Sequence, residues 1–240
     1  MVKFSLIIIH LFYGFFQALY ILYINDKPKK RYIKNWSKRL LSILKIHLEI
    51  NQDLNKYLSN KHFLIVSNHI SWLDIFLINS IVPISFLSKG DVESWPLIGK
   101  LTKCADTIYI KRGNKKSLSM ASNQIEKKLN KMDSVYFFPE GFATDGSRLL
   151  PFKSNFFQTA INCNINILPL SIQYTSDGKF SSAPSYAGDI SLAQSMWALI
   201  KVKNLTAHIS VLPVVSNKKN RKFVANEAHQ KIYKALEQFK

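Results

Sequence analysis

Cysteine is scarce: the 240 residues hold only Cys104 and Cys163, with no CxxC pair and no even framework of spacings. That argues against a disulfide-stapled secreted domain and makes both thiols small hydrophobes of a reducing compartment. Acidic residues are few as well, with 15 Asp and Glu against 33 Lys and Arg, giving a formal net charge of +18. Such a surface attracts polyanions: nucleic acid, an anionic membrane face or an acidic carrier protein. The basic residues are spread along the chain, and neither zinc-finger spacing nor an aromatic RNP-like signature accompanies them, so nucleic acid is not the expected partner. No internal repeat is visible.

What the sequence does have is apolar material. A 47% hydrophobic content fits one sizeable core, a single domain with an appendage. From Phe4 to Ile24 there is no formal charge, and about twenty residues at 1.5 Å each reach across a hydrocarbon core of roughly 30 Å. The run is longer than a signal-peptide core and lacks a small-residue cleavage site, so it predicts a membrane helix. His10, Gly14 and Gln17 interrupt it, which leaves a hairpin lodged in one leaflet as the alternative to a span.

The cationic block KPKKRYIKNWSKR, Lys27 to Arg39, places the following domain on the cytoplasmic side, at the inner membrane if the source is bacterial. Between Tyr32 and Ile50, Ile33, Trp36, Leu40, Ile43, Leu44 and Leu48 follow helical spacing among lysines and arginines. This stretch predicts an amphipathic helix, with Trp36 favouring an interfacial position over a core-packed one. Residues 1–50 are thus expected to form a membrane-anchoring helical segment and residues 51–240 the catalytic domain.

Beyond residue 60, short β-rich runs alternate with helical patterns. Strands are predicted at HFLIVS, ISFLS, TIYI, SVYFFP, INILPLSIQY and LTAHISVLP, with helices near 71–82, 115–130, 154–162, 191–202 and 226–239. The alternation predicts an α/β fold with a single mixed sheet flanked by helices.

Three segments carry the chemistry. In SNHISWLD, Ser67 to Asp74, a His follows a predicted strand and an Asp stands where a helix begins. Positions five apart on a helix point about 140° from one another, so His69 and Asp74 can meet only if His69 sits on the turn before the helix. There Asp74 can take the Nδ1 proton and leave Nε2 to act as a base on a hydroxyl. Equally, Ser71-x-x-Asp74 is a capping-box pattern in which Asp74 serves only backbone donors.

In VYFFPEGFATDG a buried strand breaks at Pro139 and delivers Glu140 and Gly141 at its carboxyl end, where ligands bind in α/β sheets. Glu140 can accept hydrogen bonds from a polyol and Gly141 allows close backbone approach, or the segment is simply a turn. In TIYIKRGN, Lys111 and Arg112 end a strand and can present cations to a phosphate.

Together these segments resemble the glycerolipid acyltransferase family that includes 1-acylglycerol-3-phosphate acyltransferases. His69 and Asp74 fit its H-x4-D motif, Tyr109 to Arg112 its strand ending in Arg, Phe138 to Gly141 its FPEG block, and ILPLSIQY around Pro169 its fourth block. The resemblance covers roughly residues 60–175 and implies an acyltransferase in which His69 deprotonates a lysolipid hydroxyl and Asp74 steadies the imidazolium. No acyl-enzyme is implied, and no Gly-x-Ser-x-Gly elbow is present. The implied polar-head contacts are Arg112, Glu140 and Gly141, beside Lys111; the implied donor is acyl-carrier protein or acyl-CoA; no cofactor or metal is implied.

Two departures stand out. Phe142, Ala143 and Thr144 follow Gly141 where the family commonly has Thr-Arg-Ser, and Asp106 replaces a frequent Gly. The run PEGFATDG is also similar to the Pro-Glu-Gly-Thr-Thr-x-Asp-Gly form of relatives that acylate lyso-ornithine lipids. 1-Acylglycerol-3-phosphate is the leading acceptor and lyso-ornithine lipid the alternative. Competing classes are a non-catalytic basic peripheral membrane protein and a metal-dependent hydrolase, for which no second His is suitably spaced.

Overall fold

The computed structural model describes residues 2–21, 26–95, 98–111 and 113–239. Arg112, expected to contact the substrate, lies outside the described residues. The helices are α1 (Val2–Ile21), α2 (Asp26–Leu44), α3 (Leu54–Leu58), α4 (Leu73–Ile81), α5 (Ile98–Cys104), α6 (Lys115–Asn130), α7 (Phe157–Asn162), α8 (Leu192–Lys201) and α9 (Arg221–Glu237). The strands are β1 (His47–Ile50), β2 (Leu64–Ser67), β3 (Ser85–Lys89), β4 (Ile108–Ile110), β5 (Val135–Phe137), β6 (Ile167–Ser176), β7 (Lys179–Phe180) and β8 (Leu205–Val211).

The strands form one sheet in the order β1-β8-β6-β2-β5-β3-β4, with β7 hairpinned onto β6. β6 runs antiparallel to β8 and β7, while the other pairings are parallel. The sheet is therefore mixed and covered on both sides, as the alternating pattern predicted. Period-two geometry explains the split. Ile65, Tyr136 and Leu168 point into a cluster with α2 and α4, whereas Leu64, Val66, Val135 and Phe137 point into a second cluster with α6, α7 and α9. Because both faces are buried, β2 and β5 read as unbroken apolar runs. Each such side chain stabilises the fold by about 1.5–3 kcal/mol on leaving water.

Two stretches differ from expectation. The amphipathic helix ends at Leu44 rather than continuing to residue 50. Lys45 adopts φ 58°, Ile46 N–H closes on Leu41 C=O at 3.0 Å, and His47–Ile50 becomes the parallel edge strand beside β8. The expected boundary at residue 50 therefore falls after a strand of the main sheet. Trp36 is buried rather than placed at a membrane boundary, because the apolar stripe Trp36, Leu40, Leu41 and Leu44 packs into the core. Lys30, Arg31, Lys38 and Arg39 stay exposed on the other side of α2.

α1 has two dissimilar faces. Ile7, His10, Gly14, Ala18 and Ile21 are buried at helical spacing, while Ile9, Phe12, Phe16 and Tyr20 are exposed. The interruptions in the apolar run are thus on the protein side. His10 Nε2 lies 3.1 Å from Trp36 O, the Trp36 indole N–H donates to His10 O at 3.2 Å, and the rings stack with centroids 4.5 Å apart. Gly14 leaves room for that indole, and a Cβ there would overlap Trp36 Nε1 and Cε2. Gly14→Val should therefore cost about 1–3 kcal/mol through overpacking. A lower thermal midpoint in detergent would show it, and an unchanged midpoint would contradict this docking.

Candidate active site

The turn after β2 is fixed before any functional group is considered. Asn68 is buried, donating through Nδ2 to Ile172 O at 2.8 Å and accepting Ile172 N–H on Oδ1 at 2.8 Å, so its amide continues the sheet's hydrogen bonding onto β6. The Tyr136 hydroxyl donates to Ser67 Oγ at 2.6 Å, and Ser67 Oγ donates to Asn68 O at 2.7 Å. His69 comes next, outside both strand and helix, where the spacing argument required it.

His69 Nδ1 lies 2.9 Å from Asp74 Oδ2. That oxygen also accepts the N–H groups of Ile70 at 2.8 Å and Ser71 at 2.9 Å, and the Tyr174 hydroxyl donates to Oδ1 at 2.6 Å. One carboxylate therefore serves backbone donors of the turn and the imidazole together, while α4 itself starts after Trp72 with no side-chain cap. Asp74 is fully buried, and these four donors compensate the loss of water. A carboxylate can only accept from Nδ1, so Nδ1 carries the proton and Nε2 is the basic nitrogen of the neutral ring. The imidazole lies on Phe138, with centroids 3.8 Å apart and planes 13° from parallel.

The PEG loop after β5 holds His69 by its backbone. Glu140 Oε1 accepts His69 N–H at 2.7 Å, Oε2 accepts Leu150 N–H at 2.8 Å, and Thr144 N–H donates to His69 O at 2.8 Å. Glu140 is 2% exposed and both its oxygens meet backbone donors, so this carboxylate is aimed at the protein where a polyol contact was expected. Burial is the main cause that pushes its carboxyl up to about 7; the two backbone hydrogen bonds oppose the rise and the charge of Asp74 adds to it.

The His69 ring borders a cavity of ≈ 600 Å³ walled by Phe138, Trp72 and Phe86 from the domain and by Gly14, Gln17 and Ala18 of α1. Lys153, Lys89 and Tyr186 add polar groups to this largely apolar wall. Gly141, φ +78°, also lines it, and a Cβ there would stand 2.7 Å from Lys153 Nζ. Lys111 is exposed at the end of β4, its N–H donating to Ser117 Oγ at 2.8 Å, and is not part of the cavity wall. Pro169 lies within β6 opposite Val66 of β2. Among the described residues no group of three His, Cys, Asp or Glu converges as metal ligands would.

Sequence reasoning missed Tyr174, Asn68 and Thr144. Tyr174 sits in an apolar strand where nothing distinguishes its ring from core, and it lies 100 residues from the carboxylate it serves. Two outcomes follow from this geometry. Tyr174→Phe strips Asp74 of one donor and should cost about 1–3 kcal/mol, with kcat falling and KM for the acceptor little changed. For Glu140, a folded value near 7 above the ordinary 4.5 means the folded state keeps a proton that the unfolded chain has lost. Stability should fall as pH rises from about 4.5 to about 7 and level off above. Urea unfolding across that range should show the slope in the native protein and lose it in Glu140→Gln.

Residues 45–173, more than half of the chain, match the Acyltransferase family model. A 1-acyl-sn-glycerol-3-phosphate acyltransferase of Neisseria gonorrhoeae is 32% identical over 189 residues, covering 78% of this chain and 73% of the relative. A lyso-ornithine lipid O-acyltransferase of Pseudomonas aeruginosa is 29% identical over 209 residues, covering 87% and 79%. The crystal structure of the 1-acyl-sn-glycerophosphate acyltransferase PlsC of Thermotoga maritima superposes with a TM-score of 0.71 over 98% of this chain and 92% of its own, at 19% identity, a likeness of fold. With His69, Asp74 and the PEG loop assembled on that fold, this chain belongs to the acyltransferase family.

Proposed function

We propose that the chain transfers a fatty acyl group from an acyl thioester to the hydroxyl of a lysolipid, with His69 as general base and Asp74 as its orienting partner. The observation that carries this reading is a histidine with Nδ1 locked 2.9 Å from a buried carboxylate while its ring borders an apolar cavity suited to an acyl chain. Nε2 takes the hydroxyl proton as the oxygen attacks the thioester carbonyl. The tetrahedral intermediate then expels the thiolate, which receives that proton from the imidazolium. Asp74 stabilises the imidazolium between the two steps. Glu140 works through His69, fixing its peptide, as a positioning residue.

The leading acceptor is 1-acylglycerol-3-phosphate, giving phosphatidate. Support comes from the Neisseria relative's name and from Lys153, whose Nζ lies where a side chain on Gly141 would stand, over the Phe142 ring, and supplies a cation where the family's usual Arg is absent. Lys111 and Arg112 are the further cations proposed for the head group. Lyso-ornithine lipid is the second reading, favoured by PEGFATDG and the Pseudomonas relative. The donor is acyl-carrier protein or acyl-CoA.

α1 carries a lipid-facing surface along its exposed side, and its other side is docked on the domain along its length by α2, α5 and α8. That arrangement supports a helix lying in one leaflet, with the catalytic domain on the cytoplasmic side. The anchoring segment then ends at Leu44, and β1 belongs to the catalytic sheet.

His69→Ala should reduce turnover by roughly 10²–10⁴-fold in a detergent assay with acyl thioester and either lysolipid, and undiminished turnover would sink the proposal. Lys153→Ala should raise KM for lysophosphatidate more than for lyso-ornithine lipid. Mass spectrometry of the product formed from each acceptor and donor decides between the two readings.

A further inference from the structure

α8 presents an outward face with less charge than those of α6 and α9. On α6 the exposed side sets Met120 among Lys115, Lys116, Asn123 and Lys127, and on α9 it sets Phe223 and Tyr233 among Arg221, Lys222, Gln230 and Lys234, charged as expected of surfaces in water. On α8 the exposed residues before Lys201 are Ala193, Gln194, Trp197 and Ala198, preceded by exposed Ile190. Gln194 does not offset this, because its side-chain oxygen accepts from Ser191 N and Oγ in a capping box. From Leu192 to Ile200 there is no charge at all.

This face continues that of α1. Phe4 of α1 meets Trp197 edge to face with centroids 5.9 Å apart, both rings being exposed. Lys3 Nζ lies 3.4 Å from Leu44 O and 3.5 Å from Ile200 O, tying the start of α1 to the ends of α2 and α8. At the same edge Lys201 Nζ sits 5.2 Å over the Trp197 ring. An apolar helix face, a half-exposed Trp and a cation beside it match the depth profile of a membrane interface: side chains in the acyl boundary, indole at head-group level and ammonium at the phosphates.

We propose that the outward face of α8 is a second membrane-docking surface, which seats Trp197 in an anionic phospholipid leaflet alongside α1. The inference rests on the reading that α1 faces lipid, and it adds an element nearly two hundred residues away in sequence. It also has a consequence for substrate entry. Gly188, just before α8, and Leu192, at its start, line the same cavity as Gly14 and Ala18 of α1. With both helices docked, lysolipid and product can pass between leaflet and cavity while their acyl chains stay out of water.

Nitroxide labels at Ala198→Cys, Phe16→Cys and Asn123→Cys, each in a Cys163→Ser background with that parent as blank, test this in the full chain. The vesicles are of phosphatidylglycerol and phosphatidylethanolamine, and the readout is collision with oxygen against a water-soluble nickel chelate. The expected result is preference for oxygen at 198 and 16 and for nickel at 123. Nickel access at 198 with oxygen preference at 16 overturns this inference and leaves the α1 reading standing. Nickel access at both removes both, and shielding of 198 from both reagents signals a protein contact and also overturns it. Trp197→Glu should lower the vesicle-bound fraction at limiting lipid by roughly tenfold with its thermal midpoint in detergent unchanged; unaltered binding counts against the proposal.

Discussion

A single buried carboxylate organises this active site. Asp74 has left water completely and is tolerable there only because four donors converge on it: the backbone N–H groups of Ile70 and Ser71, the His69 ring and the Tyr174 hydroxyl. Two of these come from the turn that bears His69, one is His69 itself and one comes across the sheet. Satisfying the charge thus shapes the turn, selects the imidazole tautomer and couples the start of α4 to β6 in one set of bonds. The orientation of the His69 ring is a consequence of how the fold neutralises an acid.

The PEG loop supplies the matching restraint from outside. Glu140 and Thr144 grip the N–H and C=O of His69, so this histidine is clamped by its peptide as well as its ring. A carboxylate that holds two backbone donors has little reason to bind substrate directly, and its burial raises its proton affinity towards neutrality. Removing Glu140 would loosen His69 without altering any group that meets the reacting atoms. The expected signature is loss of turnover rather than of affinity.

α1 and α2 pack into the domain that carries His69. His10, Gly14 and Trp36 interlock, and α1 supplies a wall of the cavity that His69 borders. One face of that helix lines the cavity and the other is apolar and exposed. The polar interruptions of the first apolar run, awkward in lipid, are the means by which that helix recognises the domain.

The sequence by itself determined the layered α/β fold, because two-sided burial writes apolar runs into β2 and β5, and one-sided burial writes amphipathic periodicity into α6 and α9. It also determined His69 and Asp74, since their spacing can bring the two together only across a strand-to-helix turn. Short elements held by pairing alone, such as β1, carried too little pattern of their own to be seen. Only the tertiary structure decided that Glu140 faces His69 and that Tyr174 completes the site from across the sheet. Each of these depends on which partners the packing brings within hydrogen-bond distance over 71 to 100 residues of chain, and no local periodicity encodes that.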